Sequence, residues 1–386
     1  MNADQPPDPT HRTWAEIDLS ALLHNLGVVR SLHPDTAVMA VVKADAYGHG
    51  VPHVATALAS AGVEFLGVAN ATEARRLART GTDKRIYLLG PTAPGERPEI
   101  VHHRWVSCIS SLEEAEHFDQ LNAAAANPPL PVHLAVDTGM GRGGFLASSL
   151  PGIHPRLQAL PHLHLEGIGS HLSSADENPG FTHQQIDLFN ATLESLGGAE
   201  TFTYRHLANS AGLLDYPLGH TNLVRPGLML YGISPVPGHQ QNLRPVLSLK
   251  ASITLVRTLP PGHGISYGRT LVTDRPTTVA TIGIGYGDGL PRNLPSQKTT
   301  VLIGGQPCPL LGRVTMDQIM VDVSHLTTPP PPGTAATIIG NTPGHTATDL
   351  AGLAGTIPWE ILVRLTPARV LKKPLPLDSP PTPPHH

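Results

Sequence analysis

Cysteine is almost missing: Cys108 and Cys308 are the only two in 386 residues. Two thiols are too few for a disulfide framework or a cysteine metal cluster, and their scarcity fits a reducing compartment. No run of about 18 apolar residues occurs, so no helix is expected to span a membrane. The start, Met1–His11, lacks the cationic region and apolar run of a signal peptide; a cytoplasmic address is expected. A formal charge of −4 carries no basic stripe, so nucleic-acid binding has no electrostatic footprint. The 22 histidines are scattered without the spacing of a metal-binding helix, and no metal is expected.

What is present is a chain of globular composition, 40% hydrophobic and 15% charged, and longer than one core usually holds. Short apolar runs alternate with helical patterns in its first part. The runs are Ala37–Val42, Phe65–Ala69, Ile86–Leu89, Val106–Ile109, Val132–Val136, Leu163–Ile168, Arg205–Ala208 and Leu223–Val224. Apolar residues in Val51–Ala61, Ala71–Thr80, Leu112–Ala126 and His183–Leu196 recur at three and four. Eight βα units in about 220 residues predict a closed (β/α)8 barrel rather than an open doubly wound sheet. From about Pro245 the segments Leu247–Thr258, Thr277–Ile284, Thr299–Ile303, Ile319–Val323 and Ala335–Ile339 read as strands, with helical pattern returning at Asp349–Leu365. The expected division is a flexible tail over 1–13, a barrel domain over 14–243, a mostly β domain over 244–372, and a proline-rich disordered tail over 373–386.

In a barrel of this kind the chemistry lies where strands end. Lys43 follows the first run, Asp137–Arg142 the fifth and His171 the sixth. Asn209 and Ser210 follow the seventh, Arg225 and Gly227 the eighth. A lysine at the end of a buried strand is rarely a free ammonium, because burial favours the neutral amine. A Schiff base would resolve that cost and give a reactive nitrogen; the residue alone reads more readily as a lysine snorkelling to solvent.

The flanking sequence decides between these readings. Val41-Val42-Lys43-Ala44-Asp45-Ala46-Tyr47-Gly48-His49-Gly50 closely resembles the pyridoxal-phosphate lysine motif of the alanine racemase family. The resemblance runs from Trp14 to about Arg364, through Asp137-Thr138-Gly139-Met140-Gly141-Arg142, Gly169-Ser170-His171, His206-Leu207-Ala208-Asn209-Ser210, Arg225-Pro226-Gly227, Ser266-Tyr267-Gly268, Gly285-Tyr286-Gly287-Asp288-Gly289 and Met316-Asp317-Gln318. It implies a barrel followed by a β domain, and a homodimer with active sites shared between subunits. It also implies a soluble enzyme interconverting L- and D-alanine, a step that supplies D-alanine as a peptidoglycan precursor. A serine or broad-specificity racemase on the same fold is the alternative. A barrel decarboxylase of basic amino acids is opposed by the Ser-Tyr-Gly and Met-Asp-Gln segments; a non-catalytic carrier is opposed by the second domain.

The roles that follow are implied by the resemblance. Lys43 would carry pyridoxal 5′-phosphate and, released, act as one of two proton-transfer bases, with Tyr267 of the partner subunit as the other. A phenol near pKa 10 needs cationic neighbours to serve at neutral pH, and His171 and Arg225 are the expected providers. Arg225 would face the pyridine nitrogen, and as a permanent donor would keep the ring a weaker electron sink. Tyr47, Ser210, Gly227 and Leu228 would hold the phosphate, supported by Asn209. A plain N-cap reads Ser210 nearly as well. Arg142 would meet the cofactor phenolic oxygen and the substrate carboxylate; Met316, Asp317 and Tyr286 would shape a small substrate pocket.

Two positions depart from the family pattern. Ala135 stands where many members carry a lysine, often carbamylated, that orients Arg142; activity without added bicarbonate is expected. No tyrosine follows Tyr286, and the corresponding stretch reads Leu365-Thr366-Pro367-Ala368-Arg369, which removes one expected phosphate contact.

Overall fold

The computed structural model describes residues 10–217 and 219–377. Two compact units emerge. One holds Leu23–Ala46 and Val51–Leu243; the other gathers the described residues up to Leu22, Tyr47–Gly50, and those from Arg244 onward.

The first unit is a nearly closed parallel barrel. Its strands are Ala37–Val41, Phe65–Val68, Arg85–Leu88, Val106–Ile109, Leu130–Asp137, Leu163–Gly169, Tyr204–His206 and Leu223–Val224, neighbours in that order, with Leu223–Val224 returning beside Ala37–Val41. All eight expected strands are present. Between Tyr204–His206 and Leu223–Val224, closure rests on single backbone bonds: Asn222 N donates to Arg205 O at 2.9 Å and Arg225 N to Ala208 O at 3.1 Å. The interior is filled by Met39, Phe65, Tyr87, Val106, Cys108 and Leu223, as inward-pointing residues of a barrel must do. Several helices start where a side chain takes an orphan N–H: Asn70 accepts from Glu73, Ser111 from Glu114, and Asn178 from Phe181.

The second unit is mostly antiparallel β. Leu247–Leu259, Thr277–Ile282, Ile319–Asp322, Gln306–Leu311, Thr300–Ile303 and Ala335–Ile339 pair in that order, and the last returns to the first, closing a ring. Two helices, Ala347–Ala354 and Pro358–Val363, follow. The strand Gln306–Leu311 was not foreseen, because Pro307 and Pro309 argue against a ladder. Both prolines sit where the strand pairs only with Thr300–Ile303; the next strand joins at Leu310 and Leu311.

Two expected boundaries are corrected. Residues from 14 do not open the barrel: Thr13–Asp18 is a strand paired to Leu247–Leu259. Nor do residues from 373 open as a tail, since Leu371–Leu375 pairs in parallel with Thr13–Asp18 at the sheet edge, a place where Pro374 is tolerated. The rest of both expected tails, 1–9 and 378–386, lies outside the described residues.

Candidate active site

Lys43 opens a turn that ordinary residues avoid. Ala44, Asp45, Ala46 and Tyr47 all have φ of 53–54°, the left-handed helical region, at roughly 1–2 kcal/mol per residue. Such a turn persists only when its surroundings over-determine it. Glu73 accepts from Ala44 N and Ala69 N, each at 2.9 Å; Asp45 Oδ1 accepts from Val51 N at 2.9 Å; Ala46 N reaches Val42 O at 2.9 Å. Gly48, next in line, passes so close to Leu362 that a Cβ would lie 2.0 Å from its carbonyl oxygen. The Lys43 amine is pushed below its ordinary pKa, chiefly by burial and then by Arg142, with Glu73 opposing. A lysine so placed is a better nucleophile near neutrality than one in water. Tyr47 is buried, which pushes its phenol up to about 12.

Arg225 is the buried cation of the barrel mouth. Its Nη2 donates to Ser170 O at 2.5 Å, to Leu207 O at 3.2 Å and toward His171 Nδ1 at 3.2 Å, while Nη1 meets His206 Nδ1. His206 Nε2 lies 2.9 Å from His133 Nδ1, His133 Nε2 lies 3.4 Å from Glu166 Oε2, and Arg85 donates to the same oxygen at 2.6 Å. Because arginine only donates, each ring must accept at Nδ1 and carry its proton on Nε2. Burial lowers the pKa of both His206 and His133, the former well below its ordinary value. Burial also works against the Glu166 charge, yet His133 and Arg85 hold that carboxyl down to about 2. The sequence makes room for these rings with Gly167 and Gly169, where a Cβ would lie 2.6 Å from the His133 ring and 2.0 Å from the His206 ring.

His171 corrects one expectation. Burial first, then Arg225, Arg142 and Lys43, push its pKa down to about 3. It is neutral at pH 7, so of the two expected cationic providers only Arg225 carries charge. Arg142 is exposed at the end of Leu130–Asp137, close enough to bias both Lys43 and His171. Asn209 rather than Ser210 is the N-cap: its Oδ1 accepts from Gly212 N at 3.0 Å, and its Nδ2 donates to Leu172 O at 3.0 Å. Ser210 Oγ instead accepts from Gly227 N at 3.0 Å and Met229 N at 3.3 Å, which brings Ser210 beside the segment Gly227–Met229.

The remaining expected residues lie in the β unit. Tyr267 sits on a one-turn helix after Ser266, whose φ is 63° and whose Oγ donates to Arg313 O at 2.7 Å. Its side chain is 67% exposed. Two turns carrying Tyr286 and Met316–Asp317 are stitched together: Tyr286 N donates to Thr315 O at 3.0 Å and Gly287 N to Met316 O at 2.9 Å. Arg369 bridges them, donating to Asp288 Oδ1 at 2.9 Å and Asp317 Oδ1 at 2.6 Å, and Arg12 reaches Asp317 at 3.6 Å. Met316, like Tyr267, lies at the surface, 50% exposed.

Sequence reading missed Glu73, His133, Glu166 and Arg369. Glu73 left a trace as an acid in a first helical turn, and the glycine pair 167 and 169 announced that something bulky lies against them. Arg369 left none, because its partners are 52 and 81 residues away.

The family model "Alanine racemase, N-terminal domain" matches residues 17–235, and "Alanine racemase, C-terminal domain" matches 246–373. An alanine racemase of a Synechocystis strain is 42% identical over 359 residues, 91% of this chain and 96% of that protein. One from Symbiobacterium thermophilum is 40% identical, covering 92% and 95%. Among solved structures, an alanine racemase from Clostridium difficile superposes with a TM-score of 0.88 at 31% identity, covering 94% of this chain and 97% of that one. The alanine racemase from Bacillus anthracis, determined with bound L-Ala-P, gives 0.83 at 33% identity over 94% of each.

Proposed function

The chain belongs to the alanine racemase family and interconverts L- and D-alanine; we propose that it does so with two bases, Lys43 and Tyr267 of the partner subunit, on opposite faces of the substrate α-carbon. The observation carrying this reading is Lys43 itself, an amine of lowered basicity fixed at a barrel strand end by a turn its neighbours over-determine. Racemisation requires a proton to leave one face of Cα and arrive on the other, which two opposed bases accomplish directly. The exposed Tyr267 supports the sharing, since a phenol left in water is available to a second copy of the chain.

The donor set fits pyridoxal 5′-phosphate. Lys43 would hold the aldehyde carbon. Ser210 with the Gly227 and Leu228 backbone, joined by Tyr47, would hold the phosphate, and Asn209 would keep that segment in place. When bound, the cofactor supplies an electron-withdrawing ring that acidifies the substrate Cα–H. Arg225 would face the ring nitrogen as a donor that does not give up its proton, with neutral His171 beside it. Arg142 and Met316 would hold the substrate carboxylate, while Asp317 and Tyr286 limit the pocket to a small side chain. The relatives described above are alanine racemases, which does not favour the serine alternative. Homodimerisation, a cytoplasmic address and a role in peptidoglycan precursor supply complete the proposal; no helix among the described residues is long and apolar enough to cross a membrane.

Borohydride reduction of the yellow protein followed by peptide mapping tests the reading. A reduced pyridoxyl group on Lys43 is expected. A group on another lysine, or a protein that takes up no cofactor, would overturn it.

A further inference from the structure

We propose that Gln185 is a positioning residue for the racemase reaction, one amide that locks the ends of two barrel strands in register; this rests on the preceding reading of His171 and Arg142. Gln185 lies on the helix Pro179–Ser195 and is fully buried. Its Nε2 donates to His171 O at 3.1 Å and to Thr138 Oγ1 at 3.2 Å. Its Oε1 accepts from Ser173 N at 3.0 Å and Ser173 Oγ at 3.2 Å. Both donors and both lone pairs of the amide are therefore used. The backbone partners also settle which atom is which, because Ser173 N–H can only donate and His171 C=O can only accept.

The amide's reach explains its importance. Thr138 belongs to the segment Asp137–Arg142, and its Oγ1 lies 2.7 Å from Ser170 Oγ. Ser170 O in turn takes the 2.5 Å bond from Arg225. One side chain thus ties the loop bearing Arg142 to the loop bearing His171, and through Ser170 to Arg225. A helix position needed only for packing would be served by leucine or methionine at no polar cost. An amide with four satisfied bonds instead fixes where two loops sit, and catalytic geometry loses rate steeply when such loops shift by about 1 Å.

Two variants separate positioning from folding. Gln185→Met keeps length and removes all four bonds. Gln185→Glu keeps shape and the bonds to Ser173, and faces His171 O with a second acceptor. Alanine racemisation is measured in both directions per cofactor-loaded site, alongside cofactor absorbance and the unfolding midpoint. The expected result is a loss of kcat/KM of about 10- to 100-fold for Gln185→Met, a smaller loss for Gln185→Glu, and a shifted cofactor band in both with loading retained. Wild-type racemisation with both variants within twofold of it per loaded site would overturn the proposal. So would a loss in either variant that vanishes once rates are normalised to folded, loaded protein. A wild type that does not racemise alanine would instead overturn the underlying reading, and this inference with it.

Discussion

At the scale of single residues, the barrel's histidines set a pH dependence. His171 falls from an ordinary 6.5 to about 3 on folding, and His133 and His206 move the same way. The folded protein keeps protons off groups that the unfolded chain would protonate, so stability is complete above pH 6.5 and is lost as pH falls toward 3. Glu166, lowered from 4.5 to about 2, adds the same sign at more acid pH. Between pH 6.5 and about 4.5 the histidines are the side chains whose ordinary pKa is crossed, which isolates their contribution. The unfolding midpoint should hold steady from pH 8 to 6.5 and decline from 6.5 to 4.5; a flat midpoint through that lower window would show that the buried rings are not neutral. The sequence singled out His171 by its place at a strand end, but gave His133 and His206 no role. Only the packing of Gly167 and Gly169 against these two distinguishes them.

At the scale of elements, the left-handed turn after Lys43 is the costly feature, and Glu73 is its restraint. Removing that carboxylate in Glu73→Ala leaves Ala44 N and Ala69 N without their partner. About 1–2 kcal/mol of local stability should go with it. Lower cofactor affinity and faster amide exchange at Ala44 and Ala69 are expected, measured by titration and hydrogen exchange; unchanged values for both would remove Glu73 from the account. Barrel elements were legible because most strands are short buried runs followed by a helix of period 3.6, a pattern that repeats and so checks itself. The β unit was less so. The strand Thr13–Asp18 was not legible, since its partners lie more than 200 residues away. Gln306–Leu311 hid behind two prolines that proved harmless on a locally unpaired edge.

At the scale of the whole molecule, the site residues divide between the barrel and β units, and the β unit carries Tyr267 exposed. The order of motifs along the chain made this division visible early, because Lys43 and Tyr267 fall in segments of different texture. The ion pairs of Arg369 and the relay from Arg225 to Arg85 stayed hidden, for each joins residues distant in sequence with no local signature. The central claim is that one subunit supplies the amine and another the phenol. It is tested most directly by mixing two inactive variants, Lys43→Ala and Tyr267→Phe, after dissociation and reassociation. A hybrid dimer with shared sites contains one site with both native bases, so a statistical mixture should recover roughly a quarter of wild-type activity. A mixture no more active than its separate components, with hybrid dimers shown to have formed, would contradict the account.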